Sequence, residues 1–79
     1  MKKEVKAYLK ASNSSDQEEL DLLFLQEDFV IDLLLSLNNK VGFAILLKLA
    51  DRYNSTYSLV RNEVIKQLKE RAPKLLALI

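Results

Sequence analysis

A single glycine, Gly42, and a single proline, Pro73, punctuate 79 residues. Antiparallel strands need tight turns, and tight turns draw on glycine, proline and asparagine-glycine pairs. With so little of that material, the chain has to join its elements through short polar loops, and helices are the elements that allow this. The expected fold is all-α: one domain over residues 1–79, a compact bundle of four to five short helices, complete by itself or completed by dimerisation.

What can hold such a chain together is restricted. There is no cysteine and no histidine, which removes disulfides and the usual zinc sites. A domain this small sits near the edge of independent stability, and small scaffolds commonly compensate by oligomerising. Burial of apolar side chains remains, and 49% of the residues are apolar.

Residues 3–11 read as a short helix, with Val5, Tyr8 and Leu9 on one face. Ser12-Asn13-Ser14-Ser15 is a loop, because these side chains bond their own backbone in competition with helix. Ser15 and Glu18 have capping-box spacing, and Asp16, Glu18 and Glu19 suit the positive end of a helix dipole. The helix starting there either runs on to Leu37 or breaks at Gln26-Glu27-Asp28, with Asp28 capping a second helix. Around Leu37-Asn38-Asn39-Lys40 a turn is expected, with Asn38 left-handed and Asn39 capping a helix from Val41 to about Tyr53. Gly42 in that helix costs up to ~1 kcal/mol relative to alanine, tolerable for close helix approach or near a frayed end. A further loop at 54–56 leads to a helix from about Thr56 to Ala72, with the stripe Tyr57, Val60, Val64, Ile65, Leu68 and Ala72. Pro73 stops or kinks it. The tail 74–79 is either a last helical turn or an apolar segment docked elsewhere.

Two of these helices, 28–37 and 41–53, are apolar well beyond the usual ~100° stripe. Only one helix of a small bundle can be central, so part of this surface is expected to meet another protein. A homo-oligomer, or else a protein partner, is the expectation, with Leu34, Leu37, Phe43, Leu46, Leu75 and Leu76 as candidate interaction residues. In the alternative, a five-helix globule covers these faces with its own termini.

Net charge is +1, but it is unevenly spread: residues 11–39 carry seven acids and no base, and residues 40–79 carry eight bases against three acids. An acidic helix facing basic neighbours explains this, and so does a basic surface for nucleic acid. The second reading has a layout behind it. Residues 41–53, a short turn and 58–72 are arranged like a helix-turn-helix. Arg61, Lys66, Lys69, Arg71 and Lys74 would then meet DNA, although Glu63 and Glu70 interrupt the basic face and Arg61 falls in the apolar stripe.

Catalysis finds little support. Asp28 and Asp32 lie one turn apart with Ser36 on the same stripe, but no nucleophile or histidine accompanies them. A hard metal would need more oxygens than one stripe offers. A solvated acidic stripe is expected there, with no catalytic residue, cofactor or metal. No segment reaches the ~18 apolar residues of a membrane span, and Met-Lys-Lys is followed by no signal-peptide core. The Asn-x-Ser/Thr triplets at Asn13 and Asn54 read as chance matches, and a cytoplasmic location is expected.

Ile45-Leu46-Leu47-Lys48-Leu49-Ala50-Asp51, followed by Leu59-Val60-Arg61-Asn62-Glu63-Val64-Ile65-Lys66-Gln67-Leu68, resembles one unit of a HEAT-type helical repeat. In that family an Asp near the end of the first helix and a Val-Arg pair opening the second are typical. The resemblance spans under half the chain. It implies an alternative architecture, a helical-repeat fragment, and a protein-binding surface completed by stacked neighbours.

Overall fold

The computed structural model describes residues 3–55 and 58–79, with side chains from Val5 onward. The elements are α1 (Lys3–Asn13), α2 (Gln17–Phe24), α3 (Phe29–Leu37), α4 (Phe43–Arg52), α5 (Leu59–Arg71) and a 3-10 segment, Pro73–Leu78. No strand occurs among the described residues. The expected all-α bundle is what forms. α3 is its hub, packing on α1 and α5 and touching α2 and α4.

The boundaries follow from capping. Asp16, not Ser15, caps α2, and its carboxylate accepts from the Glu18 and Glu19 amides. A charged acceptor one residue closer outcompetes the hydroxyl. The acidic stretch does break: Asp28 caps α3 by accepting from the amides of Val30 and Ile31 at 2.8 and 3.1 Å. The turn between them is closed by Glu27, whose φ of 54° is left-handed. That conformation costs a non-glycine residue roughly 1–2 kcal/mol.

The α3–α4 link departs from the sequence reading. Asn38 is not left-handed; it sits at φ −77°, ψ 110°. It is buried, donating to the carbonyls of Ala11 and Ser14 at 3.1 and 2.9 Å and accepting from the Lys40 amide at 2.9 Å. Bonding to the end of α1 satisfies the amide better than a local turn would. Asn39 caps nothing; Gly42 is the N-cap residue of α4. The glycine allows close approach, but of a side chain rather than a helix. Gln17 donates to the Lys40 carbonyl at 2.9 Å and accepts from the Gly42 amide at 2.7 Å. A Cβ at position 42 would lie 2.7 Å from that Gln17 oxygen.

The core is one cluster with contributions from α1 to α5, including Leu20, Ile31, Leu35, Leu46, Leu49, Val60, Val64 and Leu68. In the expected stripe of the last α-helix, Val60, Val64 and Leu68 are buried, Ile65 and Ala72 are half-buried, and Tyr57 lies outside the described residues. α5 ends at Arg71, and Pro73 opens the 3-10 segment as its first residue. Leu75 and Leu76 from that segment pack against the core. The acidic α2 does face basic neighbours within the fold: Lys10 of α1 lies 3.7 Å from Glu19, and Lys48 of α4 lies 3.3 Å from Asp21. The Cα envelope is only 16 Å in its thinnest direction. That is room for two helix layers at the usual 8–10 Å spacing, not three.

Gly42→Ala is expected to displace Gln17 and lose its clamp, a cost of about 1 kcal/mol for the hydrogen bonds. In a Gln17→Ala background the same substitution should cost about 1 kcal/mol less, a coupling that denaturant unfolding of the four chains can measure. Additive effects would show that the clamp contributes nothing.

Candidate interaction surface

α3 turns its polar residues inward. At ~100° per residue, Ile31, Asp32, Leu35 and Ser36 share one side of the helix, and all four are buried. Val30, Leu33, Leu34 and Leu37 share the opposite side. Val30 is 43% exposed and Leu37 53% exposed, with Leu33 and Leu34 half-buried between them. The solvated acidic stripe expected at Asp28, Asp32 and Ser36 is therefore overturned. Asp28 is committed to capping, and Asp32 and Ser36 are fully buried.

The inward orientation is sustained by partners about twenty residues away. Arg52 Nη1 donates to the Asp32 carboxylate oxygens at 3.0 and 2.9 Å, and the Tyr53 hydroxyl donates at 2.5 Å. The Arg52 guanidinium also lies 3.7 Å from the Phe24 ring centre, a cation–π contact that covers its other face. The Phe29 ring meets Tyr53 edge-on at 6.2 Å. Tyr53 is pushed up to about 12 by desolvation, by its hydrogen bond to Asp32 and by the nearby carboxylate charge. Ser36 donates to its own helix at Leu33, 2.6 Å away. No buried side-chain polar atom lacks a partner among the described residues.

The expected interaction residues divide. Leu34 and Leu37 lie together on the outward side of α3. Leu46 is fully buried inside the chain and belongs to the core, so it cannot serve an outer face. Phe43 is partly exposed but stacks under the Arg71 guanidinium, 4.8 Å from its ring centre. Leu75 and Leu76 are half-buried, closing the core at the chain's end. Val30 and Leu33, which the sequence reading does not single out, lie on the same side as Leu34 and Leu37. Their spacing to Leu34 and Leu37 is plain in the sequence, but it was masked by the assumption that Asp32 must face water. Other apolar side chains stand well exposed, among them Leu22 on α2, Leu25 just after it and Leu59 on α5.

The expected DNA-contacting residues divide as well. Arg61 Nη1 donates to the Ala50 carbonyl at 2.7 Å, as its place in the apolar stripe suggested. Arg71 donates to Gln67 at 2.6 Å and to the Val41 carbonyl at 2.7 Å. Lys66, Lys69 and Lys74 stand exposed, interleaved with Glu63 and Glu70. α4 ends at Arg52 and α5 begins at Leu59, a longer link than the three- to four-residue turn of a helix-turn-helix. The suggested Tyr57–Arg61 contact lies outside the described residues.

A hollow of about 290 Å³ between α4, α5 and the chain's end is lined by Leu47, Ala50, Asp51, Asn54, Arg61, Leu78 and Ile79. It joins one carboxylate to a guanidinium already bonded elsewhere. No group of three metal-ligating residues forms among the described residues, and no helix among them is long and apolar enough to cross a membrane. Comparison with known protein families, curated proteins and solved structures finds no match.

Arg52→Ala should leave the Asp32 carboxylate buried without its counter-charge and cost about 3–5 kcal/mol in denaturant unfolding. A loss under about 1 kcal/mol would mean that water replaces the guanidinium. Tyr53→Phe should cost roughly 1.5 kcal/mol near pH 7, the low end for a hydrogen bond to a charged group. The Tyr53 pKa is raised in the folded chain, to about 12, against ~10 unfolded. Its contribution is therefore complete below pH ~10 and lost as pH rises towards ~12. The stability gap between wild type and variant should stay constant from pH 7 to 9 and close between pH ~10 and ~12.

Proposed function

We propose that this chain is a non-enzymatic interaction module that self-associates through the outward side of α3. What carries the reading is the inversion of α3: a helix whose polar residues are consumed inside leaves Val30 and Leu37 exposed, with Leu33 and Leu34 between them half-buried against the chain's own core. A two-layer fold has no third layer to cover Val30 and Leu37. An apolar helix face of this kind is a recurring mode of protein association, and a second copy is the occupant that brings an identical face of matching length. α3 has nine residues, so it spans about 13 Å. Such a face falls short of the ~1,200 Å² that stable interfaces bury, and micromolar association is expected. A cytoplasmic location belongs to this reading, since the assembly needs neither disulfides nor a membrane.

Leu37→Asp tests it, because Leu37 is more than half exposed and can carry a charge without unfolding the monomer. By light scattering between about 5 and 500 μM, the wild-type mass should climb towards a dimer, while the variant stays monomeric with an unchanged helical spectrum. A wild-type chain that remains monomeric throughout would overturn the reading.

A further inference from the structure

We infer that two copies pair α3 against α3 antiparallel, in a register that sets Val30 opposite Leu37 and Leu33 opposite Leu34 of the second copy; this rests on the self-association just proposed. The stripe is a palindrome about the point between Leu33 and Leu34. Reversing the helix exchanges Val30 with Leu37 and Leu33 with Leu34, and an apolar residue meets an apolar residue at each position. A two-fold axis there gives a closed, isologous dimer in which both copies use the same patch.

Charge selects the antiparallel sense. Glu27, immediately before the capping Asp28, and Lys40, in the turn after Asn38, lie just beyond opposite ends of α3. Both are exposed. An antiparallel pair brings the Glu27 end of each α3 beside the Lys40 end of the other copy, whereas a parallel pair sets like ends, and like charges, together. Antiparallel helix dipoles act in the same direction. Glu27 is held in a left-handed conformation that glycine or asparagine would adopt at lower cost, and that conformation fixes where its side chain leaves the turn. Lys40 rests on the Asn13 carbonyl at 3.3 Å in the single chain, a surface contact that a carboxylate can displace. The hollow beside Leu37 carries Glu63 and Glu70 with Lys66 and Arg71, a rim of no net sign, so Glu27 and Lys40 determine the direction.

The absence of cysteine makes the register directly measurable. Val30→Cys and Leu37→Cys chains are prepared separately, checked for wild-type helicity, and oxidised alone and as an equimolar mixture. Asn62→Cys, exposed on α5, gives the background of random collision. In the inferred register residue 30 of one copy meets residue 37 of the other. Like positions are offset by seven residues, or about 10 Å along the axis, beyond the ~7 Å Cα reach of a disulfide. The mixture should form the Val30→Cys/Leu37→Cys heterodimer well above background, with homodisulfides near background. Homodisulfides in excess would establish parallel pairing and overturn the register while leaving self-association intact. Background crosslinking throughout, with a wild-type mass that still rises with concentration, would also overturn the register alone. Background crosslinking with a strictly monomeric wild type would overturn both. As a second arm, Glu27→Lys should weaken association about 3- to 10-fold, as expected for reversing two exposed ion pairs. Adding Lys40→Glu to that chain should restore most of it, and failure to restore it would remove the charge rule.

Discussion

The burial of Asp32 is the constraint on which the arrangement of α3 depends. An unpaired carboxylate in an apolar interior is prohibitively costly, so α3 can face this way only because Arg52 and Tyr53 arrive at its side. Once they do, the helix is locked in rotation. Turning it by half a revolution would bury Val30, Leu34 and Leu37 more completely, but it would also pull the carboxylate from its donors. The result is a helix that gives up some apolar burial for a charge-assisted bond. Its surplus apolar surface ends up outside.

A second group of polar bonds fixes the segment between α3 and α4. Asn38 ties it to the end of α1, Gln17 ties it to the start of α2, and Gln67 of α5 donates to the Ser36 and Asn38 carbonyls at 2.5 and 3.0 Å. Arg71 closes the set by bonding both Gln67 and the Val41 carbonyl. Buried polar groups of this kind specify one arrangement when they are fully satisfied, and cost dearly when they are not. The connection is short in sequence, yet three other helices hold it. This is how a chain with one glycine can turn a corner without a glycine turn.

Much of the fold was legible in the sequence. Helical content and the stop before Pro73 rest on local chemistry, a run of leucines and a missing amide; whether the helix breaks at Asp28 stays open in the sequence, because leucines on every side of it give no period to decide. The buried stripe Val60, Val64 and Leu68 followed from spacing alone. Arg61 was also readable, because an arginine inside an apolar stripe needs an acceptor. What sequence spacing could not supply was any bond between distant residues. Asn38 looked like a local turn residue because Ala11 and Ser14 lie more than twenty positions away. Asp32 looked solvated because its partners are on α4. The outward stripe of α3 was hidden by the same error, since choosing the wet side from the acidic residues inverts every other assignment on the helix. The surplus of apolar surface was visible; its location was not.

The distance between Asp32 and its partners also bears on the order of assembly. α2 and α3 can form from local contacts and their own caps. The carboxylate, however, must stay hydrated until the last turn of α4 supplies Arg52 and Tyr53. Until then α3 cannot bury that side without stranding a charge.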